Sequence, residues 1–256
     1  MKTQKLPKNP HASKAVLVDI TPGTNGGDTV KVYDGEKIPK MATDDKGIEW
    51  PAPNPNNVIT REQYKELRDY ASEKGIALSG FKKFDGDIEL IKESIDTLSR
   101  NLMEFPGVAD AKHPLTLELA RHLNSDDFAE TNGRIISINA DAYRNKKRLE
   151  DEYQKLVDDG WFVKGTTYKS IIDHEFGHAL DFVYKVNAAH IIKRVTGLEK
   201  QELVVFLKKN LSRYAAAGKK GIEITSELWV AMRSGNDSQF VLKYFEEYRK
   251  IIKKGV

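Results

Sequence analysis

The chain has 256 residues, 39% hydrophobic and 31% charged, with a formal net charge of +3 and no cysteine. So small a charge points to neither nucleic acid nor a membrane as the main partner, and no stretch approaches the roughly 18 apolar residues that a membrane helix needs. Without thiols there are no disulfides and no thiolate ligands, so a metal could be held only by His, Asp, Glu or water.

The start, "MKTQKLPKNPHASK", is basic but has no apolar run of the kind a secretory signal carries. The expected location is therefore the cytoplasm or a virion. Residues 1–58 differ in composition from the rest. "KLPKNPH", "ITPGTNGGDT" and "EWPAPNPNNV" are crowded with Pro, Gly and Asn, and most of the prolines lie before Val58. Two weak strands are expected there, Ala15–Ile20 and Thr29–Tyr33, the second entering a turn at Asp34-Gly35. This stretch reads as an arm or linker, and residues 59–256 as the domain.

The domain opens on a helix start. Thr60 followed by Gln63 fits a capping box, and Tyr64, Leu67 and Tyr70 continue one face to a stop at Gly75. "IALSGF" is a short strand or loop. Ile88, Ile91, Ile95, Leu98 and Leu102 then fall at helical spacing, up to Pro106. "PLTLELA" and "RIISINA" read as strands, with Asn139 available to cap the helix that follows, whose buried side is marked by Tyr143, Leu149, Tyr153 and Leu156. After Gly165, with Thr166 or Thr167 as cap, comes "YKSIIDHEFGHALDFVY". Further helices are expected over Glu199 to about Arg213, from Ser226, and over Asp237–Lys254. Helices with a small sheet make the fold class α+β.

Within that central helix, His174 and His178 are four residues apart, which places both rings on one face and lets both aim at a single cation. Glu175 adjoins the first of them, where it can take a proton from a water polarised by the metal. Each position of the H-E-x-x-H pattern thus has a physical task. Gly177 adds to the signal. A glycine inside a helix costs up to about 1 kcal/mol, a cost that makes sense if another element passes close to the helix beside the metal.

A zinc ion that keeps one position for water needs a third protein ligand. No histidine follows six residues after His178; Asp181 and Tyr184 occupy the relevant positions. Asp181 reads as a carboxylate that steadies a ligand ring or braces a neighbouring element. "ITSELWVAM" places Glu227 in the first turn of an apolar-rich helix and makes it a ligand candidate, with Glu199, Glu202 and Glu223 as rivals. The hydroxyl of Tyr214 could donate to a developing oxyanion or simply pack at a helix end. "RIISI" could be a sheet edge that pairs with an extended peptide, or a core strand.

With these residues in view, the chain from about residue 60 to 253 resembles the gluzincin metallopeptidases. The likeness is to the catalytic domain of anthrax lethal factor and to the metallopeptidase-like domains of minor head proteins of phages of Gram-positive bacteria. The matching stretches are "GRIISINADAY", "GTTYKSIIDHEFGHALD", "SRYA" and "SELWVAM". The resemblance implies a zincin-like fold, zinc held by His174, His178 and Glu227, Glu175 as the base, and Tyr214 as support for the tetrahedral intermediate. The family's ligand helix often carries a second glutamate one turn on, where this chain has Ala231, so support for the metal is expected to be weaker.

The expected function is zinc-dependent hydrolysis of a peptide bond in a protein or peptide substrate, with phage head proteins as further partners. The alternative is a non-catalytic structural or interaction module of a phage head or toxin assembly that keeps the fold.

Overall fold

The computed structural model describes residues 17–21, 29–33, 48, 50–121, 123–124, 126–218 and 221–254. Two strands, β1 (Leu17–Thr21) and β2 (Thr29–Tyr33), pair antiparallel as a separate ribbon. The expected strands match them to within a few residues at the first; Ala15 and the Asp34-Gly35 turn lie outside the described residues.

The domain begins with α1 (Arg61–Glu73), where Thr60 accepts from the amide of Gln63 and the Gln63 side chain accepts from the amide of Thr60. This reciprocal cap satisfies two amides that would otherwise lack partners. Gly75 ends the helix in the left-handed region, at φ 73°. Strand β3 (Ile76–Ser79), helix α2 (Ile88–Glu104), strand β4 (Leu115–Ala120), strand β5 (Ala129–Asn132) and strand β6 (Ile135–Asn139) follow. The strands lie in the order β3-β4-β6-β5, the first three parallel and β5 antiparallel to β6. "RIISI" is therefore an inner strand, and the edge belongs to β5.

The register assigns the sheet its two faces. Leu78, Leu117, Ile136 and Thr131 stand opposite one another in one row, and Ser79, Glu118, Ser137 and Glu130 in the next. Because side chains alternate, these rows point to opposite sides. Leu117 and Ile136 are fully buried, whereas Ser79 and Ser137 both donate to Glu118 on the polar side. The apolar row faces the helices, and Thr131 is its contribution from the edge strand.

The rest of the domain is helical: α3 (Lys146–Asp158), α4 (Ser170–Tyr184), α5 (Ala188–Thr196), α6 (Lys200–Asn210), α7 (Arg213–Ala217), α8 (Ile224–Arg233) and α9 (Gln239–Lys254). The described residues thus form an α+β domain of helices packed on a small mixed sheet. Helix α4 is central and contacts α2, α8 and β5, while α9 packs on α5 and α8. Trp229, Phe245, Tyr244 and Tyr248 fill the α8–α9 interface as fully buried rings. None of the described helices is long and apolar enough to cross a membrane.

Several local expectations need correction. Asn139 does not cap a helix. Its amide nitrogen donates to the carbonyls of Asn124 and Asp127, and Asn145 caps α3. Tyr143 is buried as expected but sits in a short 3-10 turn before α3. Thr166 spends its hydroxyl on the Val163 carbonyl and on Tyr153, and α4 starts at Ser170 without a side-chain cap. The helix expected from Glu199 to Arg213 is interrupted at Leu211-Ser212, where Ser212 caps a new short helix.

The end of the Pro-rich stretch is stitched to the body. Arg144, whose side chain is 5% exposed, pairs with buried Asp85 at 2.9 Å and donates to the Pro51 carbonyl, while the amide of Asn54 donates to Asp85 at 2.8 Å.

Candidate metal centre

The site is built where α4 crosses α8. The crossing is close because position 177 is glycine: an ideal Cβ there would lie 2.4 Å from the Cα of Ser226. The glycine expected to admit a neighbouring element therefore admits the backbone of α8. Gly218 plays a similar part, since a Cβ on it would lie 2.6 Å from Cγ of Glu223. The two glycines let α8 and the side chain of Glu223 approach the histidines.

Three ligand-type atoms converge. His174 Nε2 lies 3.1 Å from His178 Nε2, and Glu223 Oε2 lies 3.2 Å from each of them. Among the described residues, this is the one group of three such side chains that converges. The third member is Glu223, not Glu227. Glu223 immediately precedes α8, which opens at Ile224 rather than at Ser226, and so it stands one helical turn ahead of Glu227.

Glu227 has a different task. Its Oε1 lies 2.8 Å from Nδ1 of His174. A carboxylate accepts, so Nδ1 carries the proton and Nε2 presents its lone pair to the converging atoms. That lone pair faces a carboxylate oxygen at 3.2 Å, which is repulsive unless positive charge lies between them. Glu223 Oε2 is buried and aligned for a hydrogen bond with neither ring. A tetrahedral cation with ligand distances of about 2.0 Å needs ligand atoms about 3.3 Å apart, close to the 3.1–3.2 Å seen here. The arrangement fits a divalent metal ion.

The titration behaviour has the same cause. Burial by itself would lower His174, yet pairing with Glu223 and Glu227 carries it well above the ordinary histidine range. Burial would raise Glu223, yet His174 and His178 hold it well below the usual carboxylate range. Both shifts express a field that calls for positive charge, supplied by protons or by a cation.

Glu175 points from α4 toward the sheet edge. The hydroxyl of Thr131 lies 2.7 Å from Glu175 Oε2 and 3.0 Å from its backbone carbonyl, so one proton fixes both the carboxylate and the helix against β5. Tyr214 stacks on His174 with ring centroids 5.3 Å apart. Burial, and then the charges of Glu223, Glu175 and Glu227, push its hydroxyl well above the ordinary tyrosine range, so it stays a donor at neutral pH.

Asp181 lies outside the triad. It accepts from Tyr248 at 3.0 Å and bonds the hydroxyl of Thr225, which in turn lies 2.6 Å from the Tyr244 hydroxyl. It therefore braces α4 against α8 and α9. Burial pushes its carboxyl up to about 6. Of the remaining histidines, His113 pairs with Asp110 on the surface and His190 sits in α5; His11 and His122 lie outside the described residues.

The structure brings His174, His178, Glu175 and Tyr214 together as the sequence suggests, and adds Glu223, which the sequence leaves as a rival to Glu227, and Thr131, which nothing in the sequence marks. The available signal was spacing: Glu223 and Glu227 are four apart, as the histidines are, so two carboxylates on one face stood ready to meet two imidazoles. Comparison with protein-family models, curated proteins and solved structures finds no match to this chain.

Proposed function

We propose that the protein is a zinc-dependent metallopeptidase of the gluzincin kind, with His174, His178 and Glu223 as metal ligands and Glu175 as general base. The observation that carries this reading is the near-equilateral triangle of ligand atoms at 3.1–3.2 Å with a buried carboxylate adjoining it in sequence. Two imidazoles and one carboxylate suit zinc, and such a set leaves a position free for catalysis. The resemblance puts a second glutamate one turn after the ligand; with Glu223 as the ligand, in place of the Glu227 expected from the sequence, that position is Glu227, and Ala231 lies in the core.

Zinc held there supplies a Lewis acid that acidifies water and polarises a carbonyl. Glu175 takes the proton from the attacking water and delivers it to the amine as the C–N bond breaks. Thr131 holds the Glu175 carboxylate in place by donating its hydroxyl proton to Oε2 and to the backbone carbonyl of that residue. Tyr214, held protonated, has a hydroxyl suited to donate to the carbonyl oxygen as charge builds on it. Glu227 keeps the Nε2 lone pair of His174 directed inward.

A peptide substrate is favoured by the edge strand. The amide of Asn139 donates to the carbonyl of Phe128 at 2.9 Å, which puts Phe128 and Glu130 in the positions that bond to β6. Among the described residues β5 pairs with β6 alone, so the backbone groups of Ala129 and Thr131 face the outer edge of the sheet, beside Glu175. An extended chain can add there as a further strand.

The test is metal content, measured together with cleavage of an unfolded protein substrate. Wild type is expected to hold about one zinc per chain and to cleave, Glu223→Ala and His174→Ala to lose both, and Glu175→Gln to keep zinc without cleaving. Zinc retained with no cleavage of any peptide library by wild type would leave the non-catalytic module. No zinc uptake would overturn the reading.

A further inference from the structure

Phe182 is 56% exposed, and of the 10 phenylalanines it alone is exposed. A single exposed apolar residue is ordinary; the position of this one is not. It lies on α4 four residues after His178 and seven after Glu175. At about 100° per residue, a step of seven returns to nearly the same side of a helix and a step of four to within about 40° of it. Phe182 therefore stands on the face of α4 that carries the base and the second histidine. Its neighbours in the chain turn elsewhere: Asp181 accepts from Tyr248, and Tyr184 packs on Phe105.

The ring also touches the sheet. An ideal Cβ on Gly133 would stand 3.2 Å from Cε1 and Cζ of Phe182, so the ring rests on the turn that follows β5. Gly133 has φ 68°, in the left-handed region that favours glycine. Glu175 meets β5 at Thr131, two residues earlier. Helix α4 and β5 thus run side by side, and Glu175 and Phe182 mark two points along the groove between them. Contact with the turn accounts for one side of the ring, whereas more than half of Phe182 stays open to solvent.

The spacing decides what a bound peptide brings to this ring. Seven helical residues cover about 10 Å, and two strand residues about 7 Å. An extended chain laid along the outer edge of β5 advances about 3.3 Å per residue. With the scissile bond beside Glu175, the substrate residue that reaches Phe182 is about two or three residues away from that bond. We infer that Phe182 is a substrate-binding residue, taking an aromatic or branched aliphatic side chain about two or three residues from the scissile bond. The inference rests on the proposed hydrolysis and names its substrate class: extended peptides recognised through an apolar residue set apart from the reacting atoms.

Cleavage profiling tests it. Tryptic peptides of a cell lysate are incubated with zinc-loaded wild type, Phe182→Ala and Met103→Ala, and mass spectrometry reads the residues on both sides of each new cut. Met103 is the control: it is 74% exposed but borders a different groove, with Lys74, Arg100 and Lys169. Wild type and Met103→Ala are expected to enrich aromatic and branched aliphatic residues two or three places from the cut, always on the same side of it. Phe182→Ala should lose that enrichment while keeping its zinc and its preferences next to the cut. On one peptide taken from the wild-type profile, its KM should rise about fivefold or more, and a version of that peptide with alanine at the distal place should be cleaved alike by both proteins. Enrichment that survives in Phe182→Ala, or that wild type never shows, overturns the inference and leaves the metal site and the hydrolysis standing. Wild type that takes up no zinc, or holds zinc and cleaves no peptide, overturns the hydrolysis, and the inference falls with it.

Discussion

The Cα of Ser226 occupies the space beside Gly177 that a side chain would need, 2.4 Å from where a Cβ would stand. The atom that would be struck is backbone, in a helix that carries Glu227 and is entered through Glu223, so it cannot swing aside as the end of a flexible side chain could. Alanine would improve the intrinsic helix propensity of α4 by up to about 1 kcal/mol. Overpacking at a fixed backbone contact costs about 1–3 kcal/mol, and here the clash prevails. Gly177→Ala is expected to lower stability in urea and to weaken zinc binding about tenfold or more, because α8 must retreat from α4. Wild-type zinc affinity in this variant would show that the helix spacing does not set the site.

Glu223 and Glu227 differ in what their oxygens touch, and the two substitutions should separate accordingly. Glu223→Gln removes a converging oxygen and is expected to lose zinc under dialysis that wild type survives. Glu227→Gln removes only the partner of His174 Nδ1 and should weaken zinc by about 10–100-fold. Competitive titration against a chelator of known affinity reads both. The reverse ranking would return the ligand role to Glu227.

The third member of the cluster, Glu223 where the sequence pointed to Glu227, shows what the sequence could carry. His174 and His178 were legible because helical periodicity is local and both lie inside one strongly apolar helix. Gly177 was legible because a glycine there has a cost that needs a reason. Glu223 was not, because it precedes α8 by one residue, in a turn with no apolar repeat, and a start read at Ser226 instead of Ile224 hides it. Strand β5 was invisible for a related cause. "AETN" has almost no apolar content, and it is a strand through its pairing with β6 and through Thr131, whose neighbours in space are Ile136 and Glu175. With no sign of β5 in the sequence, "RIISI" resembles an edge, although it lies between β4 and β5.

Thr131→Val tests whether the edge strand serves the base. It keeps the shape of the side chain and removes the hydrogen bond of 2.7 Å to the Glu175 carboxylate. Hydrogen bonds to charged groups contribute about 1.5–3 kcal/mol, so kcat/KM for peptide cleavage is expected to fall about tenfold or more. Zinc content should stay at the wild-type level, since Thr131 touches no ligand atom. Unchanged kcat/KM would mean that Glu175 is held well enough by α4 alone.

Asp181 makes stability depend on pH in a direction opposite to that of most carboxylates. Burial raises its carboxyl from 3.8 to about 6 in the folded protein, against the hydrogen bonds from Thr225 and Tyr248 that pull it down. Below about pH 4 the proton is bound in both folded and unfolded chains and costs nothing. Between the two values the folded chain binds more protons than the unfolded one, so stability falls as pH rises, and above about pH 6 the penalty is complete. The gap corresponds to roughly 3 kcal/mol. Asp181→Asn removes that penalty while keeping an acceptor for Tyr248. In metal-free protein, urea unfolding should show the variant gaining on wild type by a few kcal/mol as pH rises from about 4 to about 7.5. Zinc should narrow the gain, because a dication on His178 favours the ionised form of Asp181 nearby. A stability difference that stays constant across this range would mean that the carboxylate is already ionised at its station between α4 and α9.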